Sequence, residues 1–148
     1  MLGFNHTLAG SIIAVIIPAP LVPIVAFASH FLLDMTPHYG NDPKVKPGTK
    51  QFKRLLAIDG TLSVLVYLFA VSLFPNQWLI IGIGAFFSLL PDFFWLFLKH
   101  RVSKRFDRFL QWAGDIQWGE QPYGWIFDGF YGIVMCITLY LLAGQPWS

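Results

Sequence analysis

WLIIGIGAFFSLLPDFFWLFL, residues Trp78–Leu98, is the stretch that decides the fold. Only its two glycines, Ser88, Pro91 and Asp92 interrupt the apolar run. A helix crossing a hydrocarbon core needs about 20 predominantly apolar residues, and this segment is long enough. A second run, Gly129 to Ala143, carries no charge at all. The whole chain of 148 residues is 55% hydrophobic, 18% aromatic and 12% charged. Its mean hydropathy is +0.57. Water-soluble domains carry about 25% charged residues, so this composition points to lipid as the main solvent. The N-terminus lacks the basic region of a cleavable signal peptide, and His6 stands where its apolar core would begin. The expectation is one transmembrane helical domain covering residues 1–148.

Working outward from Trp78, Pro75-Asn76 stops a preceding helix over about 52–73. The quoted run continues as a helix over about 77–99, kinked near Pro91. Upstream, an apolar stretch from Thr7 to Met35 holds Pro18, Pro20 and Pro23. Proline removes a helix hydrogen bond and clashes with the preceding turn. The pattern predicts two short helices, about 7–17 and 21–36, joined by a tight turn as a hairpin; one kinked helix is the alternative. Residues 37–51 read as a polar loop. Residues 101–118 mix Phe106, Phe109, Leu110 and Trp112 with Arg101, Lys104, Arg105 and Arg108, the pattern of an amphipathic helix lying at a membrane surface. Gly119 to Pro122 is a turn, and a last helix covers about 123–143. The predicted fold class is all-α: a polytopic bundle of about five helices plus the amphipathic surface helix. Cys136, the one cysteine, sits in an apolar segment and reads as a packing residue.

The ten Lys and Arg fall in two windows, Lys44 to Arg54 and Lys99 to Arg108. With the helix order above, both windows lie on one side, and the links on the other side carry neither residue. The positive-inside rule makes the basic side cytoplasmic, with the N-terminus beside it. The predicted localisation is the cell (inner) membrane, and the predicted partners are membrane lipid and anionic headgroups. No nucleic-acid motif is visible, and a homo-oligomer is left open.

The polar residues within the apolar helices carry the functional signal. His6 lies at the start of the first helix, and His30, Asp34 and His38 lie at the end of the second. Asp59, Asp92 and Asp128 lie within the later ones. Under the predicted topology all seven fall toward the cytoplasmic face. An acid at the centre of a membrane helix costs about 2.5–3.5 kcal/mol on insertion scales, so four need compensation. Imidazoles and carboxylates together offer it as ligands of a cation. His30 and Asp34, four residues apart, share one helix face. Three His and four Asp suffice for one or two divalent ions, zinc first, with manganese, magnesium or iron as alternatives. Asp42, Asp107, Asp115 and Glu120 read as solvated, and His100, between Lys99 and Arg101, as surface. Each buried acid could instead be a hydrogen-bonding position between helices, and a proton relay is the competing reading of the set. An internal echo pairs residues 26–34 with residues 85–92, setting Ser29 against Ser88.

At Ser29-His30-Phe31-Leu32-Leu33-Asp34, with His6-Thr7-Leu8 upstream and Leu89-Leu90-Pro91-Asp92 downstream, the chain resembles the membrane-bound metal-dependent hydrolase family (YdjM-like). It is most similar to short uncharacterised members with a Pro-His-Tyr-Gly segment after the first motif, here Pro37 to Gly40. Larger members carry Leu-Pro-Asp before His-x-x-x-Asp, with Thr-His-Ser between; here the order is reversed. The resemblance implies His6, His30, Asp34 and Asp92 as metal ligands. The expected function is hydrolysis of a lipid phosphoester or similar headgroup at the cytoplasmic face. Asp59 or Asp128 would be the general base, and Lys44, Lys46, Arg101 and Arg105 would steer the headgroup. A divalent-cation or proton transporter is the first alternative and a non-catalytic membrane adaptor the second.

Overall fold

The computed structural model describes residues 1–98 and 102–145. Lys99, His100 and Arg101 lie outside them, and with them the expected steering role of Arg101. The described residues form six α-helices: α1 Gly3–Ile16, α2 Val22–Asp34, α3 Lys50–Leu73, α4 Trp78–Phe93, α5 Lys104–Asp115 and α6 Trp125–Ala143. Three helical stretches, Lys50–Leu73, Pro75–Leu98 and Trp125–Ala143, are long and apolar enough to cross a membrane. Their outer faces are greasy: Val64, Leu65, Leu68, Leu79, Phe130 and Ile133 are all exposed. In water such a surface would be a liability; in lipid it is the matched one.

The short helix α1 is the hub. It packs against α2, α3, α4 and α6 and supplies Leu8, Ile13 and Ala14 to the core. With 14 residues it is about 21 Å long, too short to cross alone. Its contact with α4 is backbone to backbone, because a Cβ on Gly10 would collide with Gly84 and one on Gly84 with Gly10. The chain leaves the helix at Ile17, before Pro18, makes a 3-10 turn over Ala19–Leu21, and enters α2. The start of α1 and the end of α2 meet at the stacked rings of His6 and His30, 4.1 Å apart.

Several boundaries differ from the sequence expectation, each for a local reason. α1 begins at Gly3 rather than near residue 7, because the carboxylate of Asp59 in α3 accepts from the amides of Gly3 and Phe4 at 2.8 and 3.0 Å. A distant side chain thus caps this helix. α3 begins at Lys50, where Thr49 Oγ1 accepts from Phe52 N. As expected, the chain continues through Pro91; the unexpected part is the widening to a π-turn over Phe94–Leu98. α5 is capped by Ser103, which accepts from Phe106 N at 3.2 Å.

One feature was not foreseen. Within the predicted polar loop, His38–Tyr39 (β1) pairs in parallel with Glu120–Gln121 (β2), setting His38 opposite Glu120. Two glycines permit it. A Cβ on Gly119 would collide with the Thr36 carbonyl, and one on Gly124 with the backbone of His38.

Candidate metal centre

His6, His30 and Asp34 each offer a ligand atom within 4.8 Å of the others, and all three are buried. The positions follow from helix geometry. His30 and Asp34 are one turn apart on α2, and His6 comes in from the first turns of α1.

Asp34 is the centre of the cluster and is 1% exposed. Its Oδ2 stands 3.1 Å from His30 Nε2 and accepts from Gln117 Nε2 at 2.7 Å. Its Oδ1 stands 3.2 Å from His6 Nε2 and accepts from the Met1 amino group at 2.5 Å. Two donors of one tetrahedral or octahedral ion with bonds near 2.1 Å stand about 3.0–3.4 Å apart, so these separations suit a shared ion. Such an ion would displace the Met1 ammonium from Oδ1.

The imidazoles are set up as ligands. His30 Nδ1 lies 2.8 Å from the Ser88 carbonyl. A carbonyl only accepts, so Nδ1 carries a proton, and Nε2 is left facing the Asp34 carboxylate, where either a proton or a metal ion can bridge the two. Backbone carbonyls orient ligand histidines in the same way in metal sites generally. Neither ring nitrogen of His6 has a hydrogen-bond partner among the described residues, although the ring is fully buried. An orphaned buried ring is costly unless something fills the gap. Two imidazoles and a carboxylate form a borderline donor set that suits zinc, iron or manganese. On these grounds the residues fit a divalent ion.

Asp92 stands 3.7 Å from His30 Nε2, its side chain 46% exposed, at the edge of the cluster. His38 is fully buried; its Nδ1 donates to the Thr36 carbonyl at 2.7 Å, and its Nε2 has no hydrogen-bond partner among the described residues. Burial above all, with help from the Met1 ammonium, holds the His38 imidazole below its ordinary range, so it is neutral near pH 7. Asp59 and Asp128 are drawn to the start of α1. Asp128 accepts from Leu2 N (3.3 Å), Asn5 Nδ2 (2.9 Å) and Tyr39 N (2.8 Å), tying α6 to α1 and β1.

A cavity of about 760 Å³ opens beside the cluster. Its lining mixes polar residues, His30, Asp59, Asp92, Gln117 and Glu120, with apolar ones, Phe52, Leu55, Leu56, Trp95 and Leu110. Lys46 lies in the wall; Lys44 and Arg105 are not among its described wall residues. Sequence reasoning passed over Glu120, Gln117 and the Ser88 carbonyl. Their roles come from packing, and only the echo of Ser29 with Ser88, whose hydroxyls lie 3.5 Å apart, hinted at the α2–α4 contact. Comparison with family models, with curated proteins and with solved structures finds no match.

Proposed function

We propose that this chain is a metal-dependent hydrolase of the inner membrane, acting on a lipid phosphoester or similar headgroup at the cytoplasmic face. The observation that carries the reading is the buried His6, His30 and Asp34 cluster beside a cavity lined by both polar and apolar side chains. The polar side chains suit a headgroup, and Leu55, Leu56 and Trp95, on membrane-length helices, suit the start of an acyl chain. The resemblance to the YdjM-like hydrolases points the same way.

A divalent ion held by His6, His30 and Asp34 would supply an activated water near neutral pH and polarise the scissile ester. The chain's own residues do the rest. Ser88 fixes the His30 ring, and Gln117 fixes Asp34. Asp92, half-exposed beside His30, takes up the proton of the attacking water. That role suits it better than Asp59 or Asp128, whose oxygens are engaged by α1 and β1. Lys46 draws the anionic headgroup in.

The test is purified protein loaded with zinc or manganese and offered a panel of lipid phosphoesters. Hydrolysis is expected, together with loss of at least about 100-fold in His30→Ala. No hydrolysis across the panel, or equal activity in His30→Ala, overturns the proposal.

A further inference from the structure

We infer that His38 and Glu120 hold a second divalent ion beside the first centre, an assignment that rests on the hydrolase reading for its purpose but not for its test. His38 is 0% exposed, and its Nε2 has no hydrogen-bond partner among the described residues. Its Nδ1 is held by the Thr36 carbonyl at 2.7 Å. His30 shares the carbonyl-held Nδ1; in His38 that bond fixes the tautomer and leaves Nε2 as an unengaged ligand atom.

The partner is Glu120, whose Oε1 stands 3.9 Å from that Nε2. The separation is about 0.5 Å wider than that of two donors on one tetrahedral ion. Glu120 is 34% exposed on its side chain and can close the gap by rotating its own bonds. The pairing is built by the backbone. The parallel ladder sets His38 opposite Glu120, with His38 N donating to the Gly119 carbonyl at 3.2 Å. The glycines at 119 and 124 allow the two segments to touch. Glu120 belongs to the same cavity wall as His30, Asp92 and Gln117. Gln117 in turn bonds Asp34, and one ligand of each position, Glu120 and His30, borders the same cavity. One imidazole and one carboxylate leave open coordination for water and for oxygens of an anionic substrate, which suits manganese, magnesium or zinc. Paired ions of this kind clamp both the attacking and the leaving oxygen of a phosphoester.

Metal stoichiometry decides it. The full chain, purified in detergent and stripped with chelator, is dialysed against zinc and separately against manganese, and bound metal is counted by mass spectrometry. Two ions per chain are expected, falling to one in Glu120→Gln and in His38→Gln. Glu120→Gln removes only a part-exposed charge, so it serves even where His38→Gln fails to fold. His6→Gln probes the first centre without breaking a hydrogen bond and should also fall to one. One ion in the wild type, kept in Glu120→Gln and lost in His6→Gln, overturns the second position and leaves the first standing. One ion lost in Glu120→Gln and kept in His6→Gln supports the second position and overturns the first centre. No bound ion overturns both.

Discussion

A buried carboxylate needs donors or positive charge around it: Asp34 accepts from the Gln117 amide and the Met1 ammonium, and the imidazoles of His6 and His30 stand 3.2 and 3.1 Å away. Replacing it with asparagine keeps the shape and removes the charge. Asp34→Asn should lower zinc affinity by at least about 100-fold, more than the 10–100-fold typical of losing a residue behind a ligand; a competition titration with a fluorescent chelator measures it. His30 and Asp34 were legible in the sequence because both lie on one helix at a spacing that fixes their shared face. His6 was legible by its position at a helix start. Glu120 was not: it follows Gly119 in a polar segment, and only a pairing with a distant strand brings it to the cavity. The glycine behind that pairing gives a second prediction. Gly124→Ala drives a methyl into the His38 backbone and should cost about 1–3 kcal/mol in detergent unfolding. Gly129→Ala, with open space around its Cβ, should be neutral or stabilise by up to about 1 kcal/mol.

Elements tell a similar story. Apolar length alone was enough to find α3, α4 and α6, because a span must satisfy its own backbone in lipid. Pro18 and Pro20 pointed to a break between α1 and α2 but left one kinked helix open. What stayed hidden were starts and continuations set from outside the helix. α1 gains its first residues from Asp59 on α3, and no local pattern announces a cap donated from so far along the chain. Removing that carboxylate should fray α1. Asp59→Ala is expected to cost about 1–2 kcal/mol, the usual worth of a lost cap, and to speed hydrogen exchange at Gly3 and Phe4. It should leave the bound metal count unchanged, which separates a capping role from a ligand role. α5 is held by aromatic contacts, with Phe31 facing Phe109 at 6.1 Å and Trp112 at 5.5 Å between ring centres. Phe31→Ala should therefore raise the protease sensitivity of residues 104–115 before that of any membrane-length helix.

At the scale of the whole molecule, the proposed orientation is checkable with thiols. In a Cys136→Ser background, Asn76→Cys should react with a membrane-impermeant maleimide added outside intact cells. Lys46→Cys should react only after the membrane is opened. The reverse pattern would place the cavity on the outer face and remove the cytoplasmic headgroup as substrate. The two backbones that touch at Gly10 and Gly84 also constrain how this protein can move. With no side chains between them, α1 and α4 lie in direct backbone contact there and make the closest helix pairing around the site. His6 rides on one helix of that pair and the Ser88 carbonyl on the other. If the cavity of this protein changes shape, the expected place is its rim, the 39–47 segment and α5, and hydrogen exchange should be faster there than at the α1–α4 contact.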